Sequence, residues 1–186
     1  MANENWFVVF DKRKDKFRVS LYFFLASIPM IALLSFIHET GHCIIALIFG
    51  WKIYEMNISF FPFVYEMEYS WVSIGVPFSS IEEWQLILFL CGGSLHTLFW
   101  GYIFFLIYYK IDLPLFLEIC LFMFSFFAVT EMLFYIIIDI FYAQFGDWYL
   151  LYQINPAIVG IFLSISMLNL GLFLKNYRVI KERVDD

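Results

Sequence analysis

The stretch His38-Glu39-Thr40-Gly41-His42 decides how this chain is interpreted, because it places three chemically reactive side chains inside a long apolar run. Residues 17–49 are otherwise mostly Phe, Leu, Ile, Ala and Met. On a helix, His38 and His42 are four residues apart and share one face, so their imidazoles can converge on one metal ion. Glu39 lies one step round the helix, where its carboxylate could take a proton from a water at the metal. The motif therefore predicts one zinc ion per chain, with Glu39 as the catalytic base.

The surroundings of this motif strengthen that interpretation. An HExxH pattern also occurs by chance in soluble proteins, on a solvated helix face. In hydrocarbon, however, one Glu and two His are costly, and ionisable residues there usually mark a functional site. We therefore expect residues 38–42 to form a metal site.

The composition of the chain is that of a membrane protein. Of its 186 residues, 63% are hydrophobic, 23% are aromatic and only 15% are charged, and the mean hydropathy is +0.81. These values are far from those of a soluble domain. We expect the lipid bilayer and a membrane-protein or membrane-peptide substrate as partners, and no nucleic acid.

Four apolar segments predict the architecture. The spans run over about residues 17–49, 84–109, 113–138 and 147–174. We expect residues 1–16 to form an N-terminal arm, residues 17–174 a metalloprotease-like domain and residues 175–186 a tail. The predicted fold class is an all-α membrane protein with about four transmembrane helices and a short interfacial β-hairpin between the first and second.

The positive charges predict the orientation of the chain. Five of the eleven Lys and Arg lie between Lys12 and Arg18, and four more lie between Lys175 and Arg183. Under the positive-inside rule, both termini are cytoplasmic. An even number of spans agrees with this and leaves Lys52 alone in an outer loop. We expect an integral protein of the cell (plasma) membrane.

Two alternating stretches predict the hairpin. Apolar and polar side chains alternate over Ile53–Phe60 and again over Tyr65–Trp71, on either side of Phe61-Pro62-Phe63. Period-two alternation around a turn is typical of a β-hairpin. The hairpin could simply anchor the loop at the headgroup level, or its free edge could accept an unwound substrate as an added strand.

Three elements of the chain resemble the site-2 proteases, a family of polytopic intramembrane zinc metalloproteases that cut membrane-embedded segments of other proteins. His38, Glu39 and His42 match the zinc-binding motif of that family without a gap. Cys91-Gly92-Gly93-Ser94-Leu95-His96 partly matches its small-Gly-Pro element, and Phe145-Gly146-Asp147 shares the Asp and an adjacent Gly of its Asp-Gly motif. The resemblance covers about residues 27–156 and implies hydrolysis of a peptide bond in or near a transmembrane segment.

The third zinc ligand is left open by the sequence. A catalytic zinc keeps three protein ligands and one position for water. The candidates are Asp147, His96 and Glu131, since each would otherwise lie unpaired in or near the membrane. Asp147 is favoured, because Gly146 before it and Pro156 after it allow a short half-helix that carries its carboxylate into the bundle. Glu131 could instead pair with a His, and His96 could hydrogen bond to a backbone carbonyl.

The sequence predicts a mechanism and leaves three rivals, the last of which is a catalytically dead membrane scaffold. Glu39 would pass the proton of the attacking water to the leaving amine, and His96, or Thr97 beside it, would donate a hydrogen bond to the developing oxyanion. One rival is a membrane metalloprotease of another type, with Glu131 as the third ligand. A second is a zinc-binding membrane protein without proteolytic activity, such as a carrier or sensor. Glu39 distinguishes these classes, because a carrier tolerates its replacement by Gln and a protease does not.

Overall fold

A computed structural model describes residues 13–58, 70–111 and 113–185, and its elements are helices and one small sheet. The helices are α1 (Arg13–Ile48), α2 (Glu83–Lys110), α3 (Leu115–Ile137), α4 (Asp147–Ile154) and α5 (Pro156–Asp185). Strands β1 (Ile53–Asn57) and β2 (Trp71–Ile74) lie between α1 and α2. A 3-10 turn (Phe78–Ser80) precedes α2, and a π-helical turn (Ile138–Ala143) extends α3. The predicted fold class is confirmed.

Four segments are long and apolar enough to cross a membrane: Ser20–Ile48, Glu83–Lys110, Phe116–Ala143 and Pro156–Lys175. Large apolar side chains cover their outer faces, and Leu47, Phe141 and Leu168 are 66%, 72% and 64% exposed. An apolar surface of this extent is unfavourable in water and favourable in lipid. The chain is therefore a membrane protein.

The fourth predicted span, residues 147–174, is interrupted at Asn155-Pro156 in the structure, as the proline in its sequence predicts. Helix α4 ends at Ile154, Asn155 is extended with φ −153° and ψ 93°, and α5 begins at Pro156. Proline disfavours the helical conformation of the residue before it, so the segment divides into a short helix and a spanning helix. At the other end of the chain, α1 begins at Arg13, inside the predicted N-terminal arm.

The predicted hairpin is present as a shorter antiparallel pair. Asn57 pairs with Trp71, and Met56 pairs with Val72. Strand β2 begins at Trp71, the last residue of the second predicted strand. Residues 65–69 of that predicted strand lie outside the described residues.

Helices α1 and α2 cross at a pair of glycines. A Cβ on Gly41 would overlap the carbonyl oxygen of Gly92, and a Cβ on Gly92 would lie 2.8 Å from Cγ1 of Ile45. Helices α2 and α3 are also close, because a Cβ on Gly101 would lie 2.6 Å from Cβ of Ala128. Small residues at such crossings let the backbones of membrane helices approach each other. The crossings hold the HETGH segment of α1 against α2.

Candidate metal centre

His38, His42 and Asp147 bring their ligand atoms together from opposite ends of the sequence. Oδ2 of Asp147 lies 3.0 Å from Nε2 of His42 and 3.5 Å from Nε2 of His38. The three ligand atoms all lie within 4.8 Å of one another. Two ligands of a tetrahedral zinc ion, each about 2.1 Å from the metal, are about 3.4 Å apart. The spacing and the donor set of two imidazoles and a carboxylate therefore fit one zinc ion.

Each imidazole is oriented by a contact at Nδ1, the ring nitrogen that does not face Asp147. Nδ1 of His38 lies 2.5 Å from Oε1 of Glu131, and Nδ1 of His42 donates to the carbonyl oxygen of Phe89 at 2.7 Å. With the proton on Nδ1, the Nε2 lone pair of each ring is left for a metal. Histidine ligands almost always make such an outer contact. Glu131 thus lies on the side of His38 that faces away from Asp147, which does not favour it as the third ligand.

The space around the two Nε2 atoms depends on Gly93. A Cβ at this position would overlap Nε2 of His38 and lie 2.5 Å from Nε2 of His42. On α3, the ring of Tyr135 meets that of His38 edge to face, with centroids 5.4 Å apart and an interplanar angle of 83°. A backbone without a side chain therefore leaves room for the ligand imidazoles, and an aromatic ring packs against one of them.

Helix α4 carries Asp147 and is held at its first turn. Gly146 precedes it with φ 97°, a conformation that favours glycine, and a Cβ there would lie 2.5 Å from Oδ2 of Asp139. The same Oδ2 accepts a hydrogen bond from the backbone N–H of Trp148 at 3.2 Å. The buried indole of Trp148 donates to Oγ of Ser94 on α2 at 3.3 Å. These contacts fix the start of α4 and with it the position of the Asp147 carboxylate.

Asp147 is the most open of the three candidate ligands. Its side chain is 31% exposed, whereas those of His38 and His42 are 6% and 4% exposed. Burial by itself raises the pKa of Asp147, but the imidazoles of His42 and His38 outweigh it and hold that pKa below its ordinary value. The carboxyl group is therefore ionised at neutral pH, as a metal ligand must be.

Glu39 lies in the same turn of α1 as the two histidines. It is only 5% exposed, and its carboxylate interacts electrostatically with both imidazoles and with Asp147. A carboxylate thus stands beside the three candidate ligands without being one of them, which is the arrangement that a general base requires.

His96 lies in the contact between α1 and α2. Its Nδ1 donates to the carbonyl oxygen of Ile37 at 2.8 Å, and its Nε2 accepts a hydrogen bond from the indole of Trp100 at 3.0 Å. A neutral imidazole has one N–H, so His96 in this state has no donor left for an oxyanion. This geometry therefore favours neither the oxyanion role predicted for His96 nor the ligand role that the sequence left open for it.

Sequence reasoning named Glu131 as a possible partner of a His, but it missed the polar stripe on α3 and its π-helical extension to which Glu131 belongs. Glu131, Tyr135 and Asp139 follow one another at intervals of four residues. The first two contact His38, and Asp139 accepts the hydrogen bond from Trp148. The sequence did contain a pattern that predicts this stripe, because polar side chains at i, i+4 and i+8 in an apolar span share one helix face.

A scan of protein-family models and searches of curated proteins and solved structures found no match to this chain. The fold and the site together define a membrane protein with four candidate spans and a candidate metal centre between its helices.

Proposed function

We propose that this protein is an intramembrane zinc metalloprotease, which hydrolyses a peptide bond in or near a transmembrane segment of another membrane protein. The observation that carries the proposal is the convergence of His38, His42 and Asp147 beside Glu39. The match of HETGH to the zinc-binding motif of the site-2 proteases supports the same function. His38, His42 and Asp147 would hold the ion.

Zinc, when bound, would polarise the scissile carbonyl and make a water molecule more acidic. Glu39 accepts the proton of the attacking water as the new C–O bond forms, and returns it to the nitrogen as the C–N bond breaks. Glu131 and the carbonyl of Phe89 keep the imidazoles of His38 and His42 turned toward the reacting groups. Apart from zinc and water, the groups in these roles are side chains and one backbone carbonyl that already lie at the site.

The substrate has to reach the site as extended backbone, because a helix holds its carbonyl groups in hydrogen bonds. The sheet lies beside the HETGH segment, since Sγ of Cys43 is 3.6 Å from Sδ of Met56 on β1. A free edge of this sheet could accept an unwound substrate segment as an added strand.

The decisive experiment compares the wild type with Glu39→Gln. Both proteins are expressed in the same host membranes, their zinc content is measured after purification, and new N-termini in membrane proteins are identified by mass spectrometry. We expect equal zinc content, and new N-termini within or near transmembrane segments with the wild type only. Glu83→Gln, at an exposed position in the first turn of α2, is the matched control and should cleave like the wild type.

If zinc-loaded wild type and Glu39→Gln give identical sets of N-termini, the proteolytic function is refuted. The chain would then be a zinc-binding membrane protein of another kind.

A further inference from the structure

We propose that the metal centre works in the half of the membrane away from the cytoplasm, so that the substrate is a membrane-anchored protein cut in its extracytoplasmic half. This proposal rests on the proteolytic function proposed above and adds the side of the membrane from which the site is reached. It is carried by the depth of the site along the helices, by the distribution of charge and by the partial exposure of Asp147.

The three longest elements at the site agree on its depth. His42 lies six residues before the last residue of α1, which is roughly 9 Å along the helix. Gly93 lies ten residues after the first residue of α2, roughly 15 Å from that end, with about 26 Å of helix on its other side. In the third span, Phe116–Ala143, Glu131 lies 12 residues before the end and 15 residues after the start. We call the end of the bundle that carries β1 and β2 the sheet end. The metal centre is therefore nearer to the sheet end than to the opposite end of the bundle.

Tryptophans mark the sheet end as a membrane interface. Trp71 on β2 and Trp84 in the first turn of α2 are 41% and 52% exposed. Trp side chains favour the headgroup level, where the ring is apolar and its N–H can hydrogen bond. The indole of Trp84 donates in this way to the carboxylate of Glu82. The bilayer surface on this side consequently lies near the start of α2.

The charges assign this interface to the outer side. Ten of the eleven Lys and Arg belong in sequence to the opposite end, where α1 begins, where α2 meets α3 and where the fourth span ends. The sheet end has Lys52 alone, together with the exposed Glu55, Glu82 and Glu83. Under the positive-inside rule, the opposite end is cytoplasmic and the sheet end is extracytoplasmic.

The most open candidate ligand lies toward the same end. Helices α1 and α4 meet at the metal centre through the side chains of His38, His42 and Asp147. Asp147, whose side chain is 31% exposed, lies in the connection between the third and fourth spans, which is extracytoplasmic in this orientation. We therefore expect a substrate backbone to approach Asp147 from the outer half of the bilayer.

Orientation can be tested without metal and without cleavage. Lys52→Cys and Lys110→Cys are made in a variant that lacks Cys43, Cys91 and Cys120, and each is treated with a membrane-impermeant maleimide. In right-side-out vesicles we expect labelling of Lys52→Cys at least tenfold faster than of Lys110→Cys, and the reverse order in inverted vesicles. The opposite pattern would place the sheet end in the cytoplasm and overturn the proposal.

Access to the centre is tested by zinc loss. Zinc-loaded vesicles of each orientation are exposed to a membrane-impermeant chelator, and the zinc that remains on the repurified protein is measured over time. We expect loss to be several-fold faster from right-side-out vesicles. Equal rates, or faster loss from inverted vesicles, would overturn the proposal. Faster zinc loss from right-side-out vesicles of a wild type that produces no new N-termini would refute the proteolytic function alone, so a failure of that function and a failure of this inference give different results.

Discussion

Nδ1 of His38 lies 2.5 Å from Oε1 of Glu131, a residue 93 positions further along the chain. The second carboxylate oxygen of Glu131, Oε2, is buried without a hydrogen-bond partner among the described residues. Leaving a buried polar atom unsatisfied costs about 1–3 kcal/mol or more. The contact with His38 is therefore the main compensation for placing this carboxylate in the bundle, and it orients the imidazole toward Asp147.

Replacing Glu131 should weaken zinc binding without removing a ligand. We expect the zinc affinity to fall about tenfold in Glu131→Gln and up to about 100-fold in Glu131→Ala, because outer contacts of metal-bound histidines have effects of this size. Affinity is measured by competition with a chromogenic chelator in detergent. Glu118→Gln, near the start of the same helix, serves as the control. Wild-type affinity in Glu131→Ala would show that the contact does not orient His38.

A methyl group at position 93 should disturb the metal centre directly. The Cβ of Gly93→Ala would overlap Nε2 of His38 and crowd Nε2 of His42, so we expect zinc content to fall at least several-fold. In Gly160→Ala, by contrast, the added Cβ meets no atom within 4 Å. Alanine in a helix interior is favoured over glycine by about 1 kcal/mol, so this control should retain full zinc content and unchanged or higher thermal stability. Full zinc content in Gly93→Ala would contradict the described geometry.

Asp147→Ala and His96→Ala should separate metal binding from helix packing. Asp147→Ala removes a candidate ligand, so purified protein should lose nearly all its zinc after dialysis against a weak chelator. His96→Ala should keep its zinc but melt at a lower temperature, because two hydrogen bonds of about 1 kcal/mol each are lost. Metal analysis and thermal unfolding in detergent measure both. Loss of zinc in His96→Ala, with zinc retained in Asp147→Ala, would make His96 the ligand and leave Asp147 a packing role.

Asp139 should act on the metal centre through α4. Asp139→Ala removes the acceptor for the backbone N–H of Trp148, so we expect a several-fold loss of zinc affinity through the displaced Asp147. Asp139→Asn keeps an acceptor oxygen and should restore most of that affinity. Equal losses in the two variants would mean that Asp139 acts through its charge and not through this hydrogen bond.

The spans and the centre of the site could be predicted because their signals are local. Long apolar runs mark membrane helices, and the spacing of His38 and His42 follows from helix geometry alone. The preference for Asp147 also had a local basis, since Pro156 limits the helix after it. The structure shows that short helix as α4.

The remaining contacts depend on tertiary structure, and for that reason the sequence left them open or missed them. Whether Glu131 faces Asp147 or the opposite side of His38 is decided by the rotation of α3 in the bundle. The hydrogen bonds of His96 to Ile37 and Trp100 require the close crossing of α1 and α2, which no local pattern around His96 reveals. The link from Asp139 to Trp148 likewise needs the π-helical turn to bring the two residues together.

The crossing of Gly41 and Gly92 has a consequence for tracing the ancestry of this chain. Gly41 occupies one of the two variable positions of the HExxH pattern, yet a side chain there would run into the backbone of the neighbouring helix. In this architecture that position is not free to vary. Homologues that retain the crossing should therefore carry a glycine immediately before the second histidine and another glycine about where Gly92 lies, 51 positions later. This two-part signature should identify distant homologues whose overall sequences have diverged too far to align.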